Sequence, residues 1–390
     1  MSHKRLFIIT GDYSGDVHAA RVVDALKQRE PTLEIAGIGG ENLQVRGIQL
    51  LSDQSKMGRV GVGSFLGAPY HYFLGKRILR FLREFKPDAV LLIDYGGFNL
   101  LMAEQIKKLG LKVFYFIPPQ VWASRRGRLK SIRKNVDHVF CIFPFEKTLY
   151  EAERIPVTYV GHPLIGQLPL PADRTTFCAR HGLDAGKPIL GIFPGSRKME
   201  IDYLLKELIA TLPRLRQTHP DLQFVLAKAA SLSTEFFQKR LDEAWQKTGL
   251  AERTERPVLI IVDDENHAVL SIADALIAKS GTTTLEAALY GTPMVIIYKG
   301  HPLIYPIAVW MCYLPCIGLP NILTDMQNPP VPELWQDKVN PITLAETVSP
   351  LLDTHSPAFQ RQQAAFDTIR TIFNVGNAPD NVAAGILERL

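Results

Sequence analysis

The chain has 390 residues, 46% of them apolar and 21% charged, with a net charge of +5. That length exceeds what one compact core organises and asks for two domains, and the composition excludes disordered, collagenous and membrane-embedded classes. The small basic excess fits a nucleotide, a phosphate or an anionic membrane surface and is too weak for a nucleic-acid binder.

LFIIT, Leu6–Thr10, predicts a first strand, with an apolar run too short for a signal peptide. A helix is expected from about His18 to Arg29, with Asp16 as its cap and His18 on its surface, followed by a strand at LEIAGIG. Val60–Arg83 is apolar and glycine-rich, then helical, with Lys76, Arg77, Arg80 and Arg83 among Ile78, Leu79, Phe81 and Leu82. Phe65, Leu66, Tyr72 and Phe73 add aromatic and apolar contact, a pattern suited to docking in the headgroup region of an anionic bilayer. Asp88–Asp94 predicts a buried strand, and after a Gly-Gly loop Leu100–Leu109 reads as a helix that Gly110 stops. KVFYFIP, VDHVFCIFP and VTYVGHP are further strands with helices between them.

QLPLPADR, residues 167–174, is the linker candidate. A second alternating series follows: PILGIFPG, a helix with apolar Ile201, Leu204, Leu205, Leu208, Ile209 and Leu212, LQFVLAKA, a helix near Thr234–Thr248, PVLIIVDD, a helix near Asn266–Ala273, ADALIAKSG, a short helix, and PMVIIYKG. A last helix is expected near Ala358–Ile372. Apolar strands divided by helices specify parallel sheets covered on both faces. The fold class is therefore α/β: two Rossmann-like doubly wound domains facing across a cleft, over residues 1–168 and 175–350, with a helical tail over 351–390 that packs on the N-terminal domain or a partner subunit. Gly300–Thr324 carries no Lys, Arg, Asp or Glu and is long enough to span a bilayer. Pro302, Pro306, Pro315 and Pro320 interrupt it, so it reads as a buried or docking segment. Cys141, Cys178, Cys312 and Cys316 lack zinc-ligand spacing, and a reduced compartment, the cytoplasm, is expected.

Two stretches carry anion chemistry. In FPGSRKME, a Pro-Gly turn after a strand leads through Ser196, the expected N-cap, and Arg197 into a helix, with Glu200 near the capping-box position. A helix start presents unpaired N–H groups and partial positive charge to a phosphate, and a guanidinium adds a matching fork. In AKSGTTTLE, Ser280, Gly281, Thr282 and Thr283 open a second helix, and Glu286 one turn in is placed to accept from a ribose hydroxyl. Two such starts in one domain point to a nucleoside diphosphate. Neither a GxGxxG after the first strand nor a GxxxxGK[ST] occurs.

With SGD at Ser14–Asp16, KMG at Lys56–Gly58, LLIDYGGFN, PPQVWASRRGR, FPFE, GHPL, PGSRKMEI, SGTTTLE, GLPNIL and VPELWQ, the chain resembles the lipid-A-disaccharide synthases over nearly its whole length. The resemblance implies a GT-B glycosyltransferase without a metal or other cofactor. It would take UDP-2,3-diacylglucosamine as donor and 2,3-diacylglucosamine 1-phosphate (lipid X) as acceptor, with inversion. It implies a peripheral protein of the cytoplasmic face of the inner membrane and a homodimer. Asp94 matches the family's catalytic Asp and is the expected base, with Asp12 the second choice in the loop of Gly11, Ser14 and Gly15. Asn321 is a further family-derived contact on the nucleotide side. Acidic positions of the family are not acidic here at Gly61, Gly97 and Gly166, and GETSGD has become GDYSGD. Two other readings stay open: a related UDP-sugar transferase or epimerase with another acceptor, and a non-catalytic UDP-sugar or lipid-binding homologue.

Overall fold

The computed structural model describes residues 4–53, 68–249, 256–301, 305 and 313–390. They form two compact units, one of residues 1–167 and 373–390, the other of residues 168–372.

The first unit holds a seven-stranded sheet in the order β3-β2-β1-β4-β5-β6-β7, every pair parallel. Its strands are β1 (Arg5–Ile9), β2 (Glu34–Gly39), β3 (Gln49–Asp53), β4 (Ala89–Ile93), β5 (Lys112–Phe116), β6 (His138–Cys141) and β7 (Val157–Tyr159). β1 and β4 are buried almost throughout, as helices on both faces require. The second unit repeats the plan with six parallel strands in the order β10-β9-β8-β11-β12-β13. These are β8 (Ile189–Phe193), β9 (Gln223–Lys228), β10 (Leu259–Asp263), β11 (Ala275–Lys279), β12 (Met294–Tyr298) and β13 (Glu333–Trp335). The Lys198–Thr218 helix buries the apolar stripe read from its sequence, Ile201 to Leu212, and Leu215 beyond it, against β8, β9 and β11.

In each sheet the chain winds one way and then the other from a central pair, β1 beside β4 and β8 beside β11. Loops leaving the carboxyl ends of such a pair diverge to opposite faces and open a crevice between them, where ligands of doubly wound sheets bind.

Several boundaries move from the sequence reading. The first helix spans Tyr13–Arg29, and Asp12, not Asp16, caps it by accepting the Gly15 N–H at 2.8 Å. Asp16 is buried and instead accepts from the N–H groups of Gly40 and Asn42 and from the Asn42 amide, tying the first helix to the turn after β2. The Gly-Gly pair is not loop but the first turn of the Gly96–Lys108 helix. Asp94 and Tyr95 make the turn themselves, both in the left-handed region at φ 48° and 49°.

The C-terminal segment divides between the units. The Pro357–Phe373 helix sits on the second, where the Gln362 amide bonds both N–H and C=O of Met294. The Ala378–Leu387 helix belongs to the first and buries Val382, Ala383 and Ile386. Asn381 donates to the Val160 carbonyl at 3.0 Å, and Gly385 lies against the Phe140 ring with no room for a Cβ. Two motif pieces explain themselves as packing. Buried Glu146 of FPFE accepts from the Trp122 indole of VWA and from the N–H groups of Ile142 and Phe143, and burial pushes its carboxyl up to about 7. Cys141 and Cys178 are buried free thiols, and Cys316 is buried as well.

Candidate functional site

The second unit brings both expected anion-binding starts to one cavity of about 340 Å³ at the β8/β11 switch point. Gly195, Ser196, Arg197 and Glu200 line it from the β8 side, and Lys279, Ser280, Gly281, Thr282 and Thr283 from the β11 side. Phe193, Ala227, Ala229 and Asn266 complete the lining.

Glu200, in the cavity wall, also organises the β8 side. One carboxylate oxygen accepts from the N–H groups of Ser196 (2.9 Å) and Arg197 (3.2 Å), and the other meets Arg197 Nη1 (3.2 Å) and Lys279 Nζ (2.8 Å). The cap position of this helix is Arg197, not Ser196. Gly195 is needed at φ 114°, where a Cβ would stand 2.4 Å from Glu200 Oε2. Ser231 donates to the Ser196 carbonyl and pins the loop from β9. The charges partition clearly: Lys279 is largely buried against Glu200, while the Arg197 side chain is 78% exposed. Charge-assisted bonds and the Lys279 ammonium hold the Glu200 carboxyl below its usual range against the opposing effect of burial.

On the β11 side Ser280 is fixed twice, its N–H on the Ile297 carbonyl and its hydroxyl donating to the Ile317 carbonyl. The Thr282–Tyr290 helix begins directly after it. Two expected contacts lie elsewhere. Asn321 is wholly buried, its amide bonded to Val331 N–H, Val331 C=O and Glu333, so it is a structural link and has no atom left for a nucleotide. Glu286 is half-buried beside His267 and Tyr290, outside the cavity lining, and desolvation pushes its carboxyl up. Lys279 and Asn266 were not singled out from sequence. A cation closing a strand just ahead of SGT was the available sign for the first.

In the first unit the loops after β1 and β4 flank the other switch point. Asp94 directly follows β4, and its main-chain carbonyl accepts from Asn99 Nδ2 and the Tyr115 hydroxyl, both at 2.8 Å. Those bonds hold the two left-handed residues in place, the kind of strain that surrounding structure must over-determine. Desolvation first, then the Asp12 charge, pushes the Asp94 carboxyl up to about 6, with the Tyr95 N–H opposing. Gly11 lies so close to the Tyr95 ring that a Cβ would fall 2.0 Å from it, so the two loops interlock. The Tyr95 hydroxyl is 3.0 Å from His71 Nε2. His18, expected on the surface, is half-buried over Phe116 with Nε2 3.3 Å from the Ser14 hydroxyl, and burial lowers its pKa to about 4.

Of the expected docking surface, Phe65 and Leu66 lie outside the described residues, as do Lys56–Gly58, Gly61 and Cys312. In the Ala68–Phe85 helix, Leu74, Ile78 and Leu82 are buried in the core, and Tyr72, Phe73, Lys76, Arg77 and Arg80 are exposed on the other side. An apolar hollow of about 570 Å³ lies between this helix and the Gly96–Lys108 helix, lined by Leu79, Phe98, Leu101 and Met102 among others. Among the described residues no helix is long and apolar enough to cross a membrane, and no three His, Cys, Asp or Glu gather to hold a metal ion.

The sequence pattern described as lipid-A-disaccharide synthetase matches residues 6–382. A lipid-A-disaccharide synthase of Coxiella burnetii (strain Dugway 5J108-111) is 37% identical over 387 residues, covering 98% of each chain. One from Geobacter sulfurreducens is 36% identical over 391 residues, covering 99% of this chain and 97% of the other. Among solved structures, UDP-GlcNAc 2-epimerase from Neisseria meningitidis bound to UDP-GlcNAc overlays with a TM-score of 0.63 at 13% identity, covering 98% of this chain and 100% of that one. A glycosyltransferase from Rickettsia africae gives 0.59 at 13% identity, with both chains fully covered. At that identity the two structures speak for the fold, the GT-B arrangement of two parallel-sheet domains.

Proposed function

This chain belongs to the lipid-A-disaccharide synthase family, a family of glycosyltransferases, and on that premise we propose that it transfers 2,3-diacylglucosamine from UDP to the 6-hydroxyl of 2,3-diacylglucosamine 1-phosphate, with inversion. The observation that carries the reading is the cavity where the starts after β8 and β11 meet around Lys279. The diphosphate is held there by Arg197, Lys279 and the first turn of the Thr282–Tyr290 helix.

In the reaction the Asp94 carboxylate takes the proton of the acceptor hydroxyl as its oxygen bonds to C1 of the donor sugar. The bond from C1 to the β-phosphate oxygen breaks on the opposite face, and its electron pair leaves with UDP. Negative charge grows on that oxygen, and donors already fixed around it favour the transition state over the bound substrate. Protein groups supply this stabilisation without a metal. An Asp with a pKa near 6 is poised for base work near neutrality. The apolar hollow beside Gly97 and Phe98 offers a seat for an acyl chain of the acceptor. The enzyme works as a peripheral homodimer on the cytoplasmic face of the inner membrane.

The direct test is incubation with UDP-diacylglucosamine and the monosaccharide 1-phosphate, followed by assay of disaccharide and UDP in equal amounts. UDP release without disaccharide would replace the acceptor assignment, and UDP binding without turnover would make the protein a non-catalytic binder. Arg197→Ala is expected to weaken UDP binding about tenfold, as loss of one exposed charge-assisted contact does, and calorimetric titration reads it. Replacing Lys76, Arg77 and Arg80 together by Gln is expected to abolish sedimentation with anionic vesicles at low salt, each cation near such a surface contributing about 1 kcal/mol. Sedimentation unchanged by the triple substitution would remove the helix from the membrane face.

A further inference from the structure

GLPNIL and VPELWQ take no part in the cavity lining, yet the fold joins them. Glu333 opens β13 beside Ile296 of β12. Its Oε2 accepts from the N–H of Ile317 (2.9 Å) and the indole of Trp335 (3.1 Å). Its Oε1 accepts from the N–H of Gly318 (2.8 Å) and the amide of Asn321 (2.7 Å). All of these donors are neutral, and only a carboxylate offers two oxygens with room for them together. Gly318 is shaped to the same bracket, since a Cβ there would stand 2.8 Å from Glu333 Oε1 and 2.4 Å from Ile296 Cδ1. The peptide so gripped ends in the Ile317 carbonyl, which receives the Ser280 hydroxyl at 3.1 Å. Ser280 then leads into Gly281, Thr282 and Thr283 at the cavity wall.

We propose that Glu333 is a positioning residue of the donor site, which sets Ser280 and the first turn of the Thr282–Tyr290 helix through the peptide of Ile317. The inference rests on the donor reading of that cavity. Bracket and helix start are separate in sequence, and the Ser280 hydroxyl bonds one to the other, so a shift of the Ile317 carbonyl passes through it to the amides that would face a diphosphate. Sub-ångström placement of such donors decides what they contribute.

Two readouts test it on the full-length protein. Glu333→Gln keeps the shape and turns one acceptor oxygen into a donor facing donors. Hydrogen exchange at Ser280 and Thr284, whose N–H groups bond the carbonyls of Ile297 and Gly281, should accelerate in the unliganded protein, and the Kd for UDP should rise about tenfold, the weight of one lost charge-assisted bond. In a Ser280→Ala background the link is already cut, and Glu333→Gln should add less than about twofold. Wild-type exchange and affinity in Glu333→Gln would overturn the proposal, and so would full additivity with Ser280→Ala. Should Glu333→Gln fail to fold, Ser280→Ala alone decides, since unchanged exchange at the helix start would show that the link carries nothing. A wild-type protein that does not bind UDP would refute the donor reading, and the exchange measurement would still judge Glu333.

Discussion

Asp94→Asn is expected to lower the rate of sugar transfer by about 10²–10⁴-fold, the usual contribution of a positioned base, and to leave UDP affinity at its wild-type value. Asn keeps an oxygen for the Tyr95 N–H that Asp94 Oδ1 accepts at 2.7 Å, so the turn survives. In the wild type, kcat/KM should rise as pH passes upward through about 6 and level off above it, because only the ionised carboxyl can take the proton. The rise should vanish in the variant. Stability should move the other way. The folded chain holds this proton up to about 6 against an ordinary value of 3.8, so the group's stabilising contribution is full below pH 3.8 and lost as pH rises through 6. Above that window the buried charge costs about 3 kcal/mol, and the neutral Asn should recover about 1–3 kcal/mol of it in denaturant unfolding. Collapse of UDP binding in Asp94→Asn would show that the residue serves the donor rather than the acceptor.

Lys279→Met is expected to raise the Kd for UDP about 100-fold, more than Arg197→Ala does, because Lys279 is the less exposed cation. Its side chain is 16% exposed, and it neutralises a Glu200 that is 12% exposed. Without it, a little-exposed carboxylate in the wall of a diphosphate site keeps the exposed Arg197 guanidinium as its charge partner. Breaking a pair of this kind from one side costs about 3–5 kcal/mol, so the thermal midpoint should fall by about 10 °C. Adding Glu200→Gln should recover much of the midpoint and little of the affinity, which separates the structural share of Lys279 from its ligand share. A Kd unchanged in Lys279→Met would exclude the cavity as the seat of the diphosphate.

The anion-binding starts were legible in the sequence because the feature is local: a strand, a small-residue turn and a helix that follow one another within ten or so residues. That Ser196 and Ser280 share a cavity depends on β8 pairing with β11, a long-range choice that no local pattern records. The same limit explains Asn321. A polar residue after a proline in a motif looks like a ligand contact, and only the return of β13 beside β12 reveals Glu333 and Val331 as its partners. Gly96 and Gly97 misled in the opposite direction. Glycine pairs usually make the bend, but here an Asp and a Tyr take the left-handed conformations, and the glycine Cα sits against Pro119, which would lie 2.6 Å from a Cβ at Gly96. His18 reads as helix surface by periodicity alone, and the Phe116 ring that covers it comes from a strand nearly a hundred residues on.

The return of residues 373–390 to the first unit sets an order on biosynthesis. On the ribosome, residues 168–372 emerge as one continuous stretch and can complete their own sheet while the chain is still growing. The N-terminal sheet is made first yet waits until residues 378–387 have emerged, with the Tyr13–Arg29 helix and the Phe140 strand uncovered where the Ala378–Leu387 helix will lie. Closure across the 348 positions between the two helices is slow, and a nascent intermediate with open apolar surface is where aggregation or chaperone capture acts. A stop codon just ahead of the Ala378–Leu387 helix therefore damages the unit that is synthesised first.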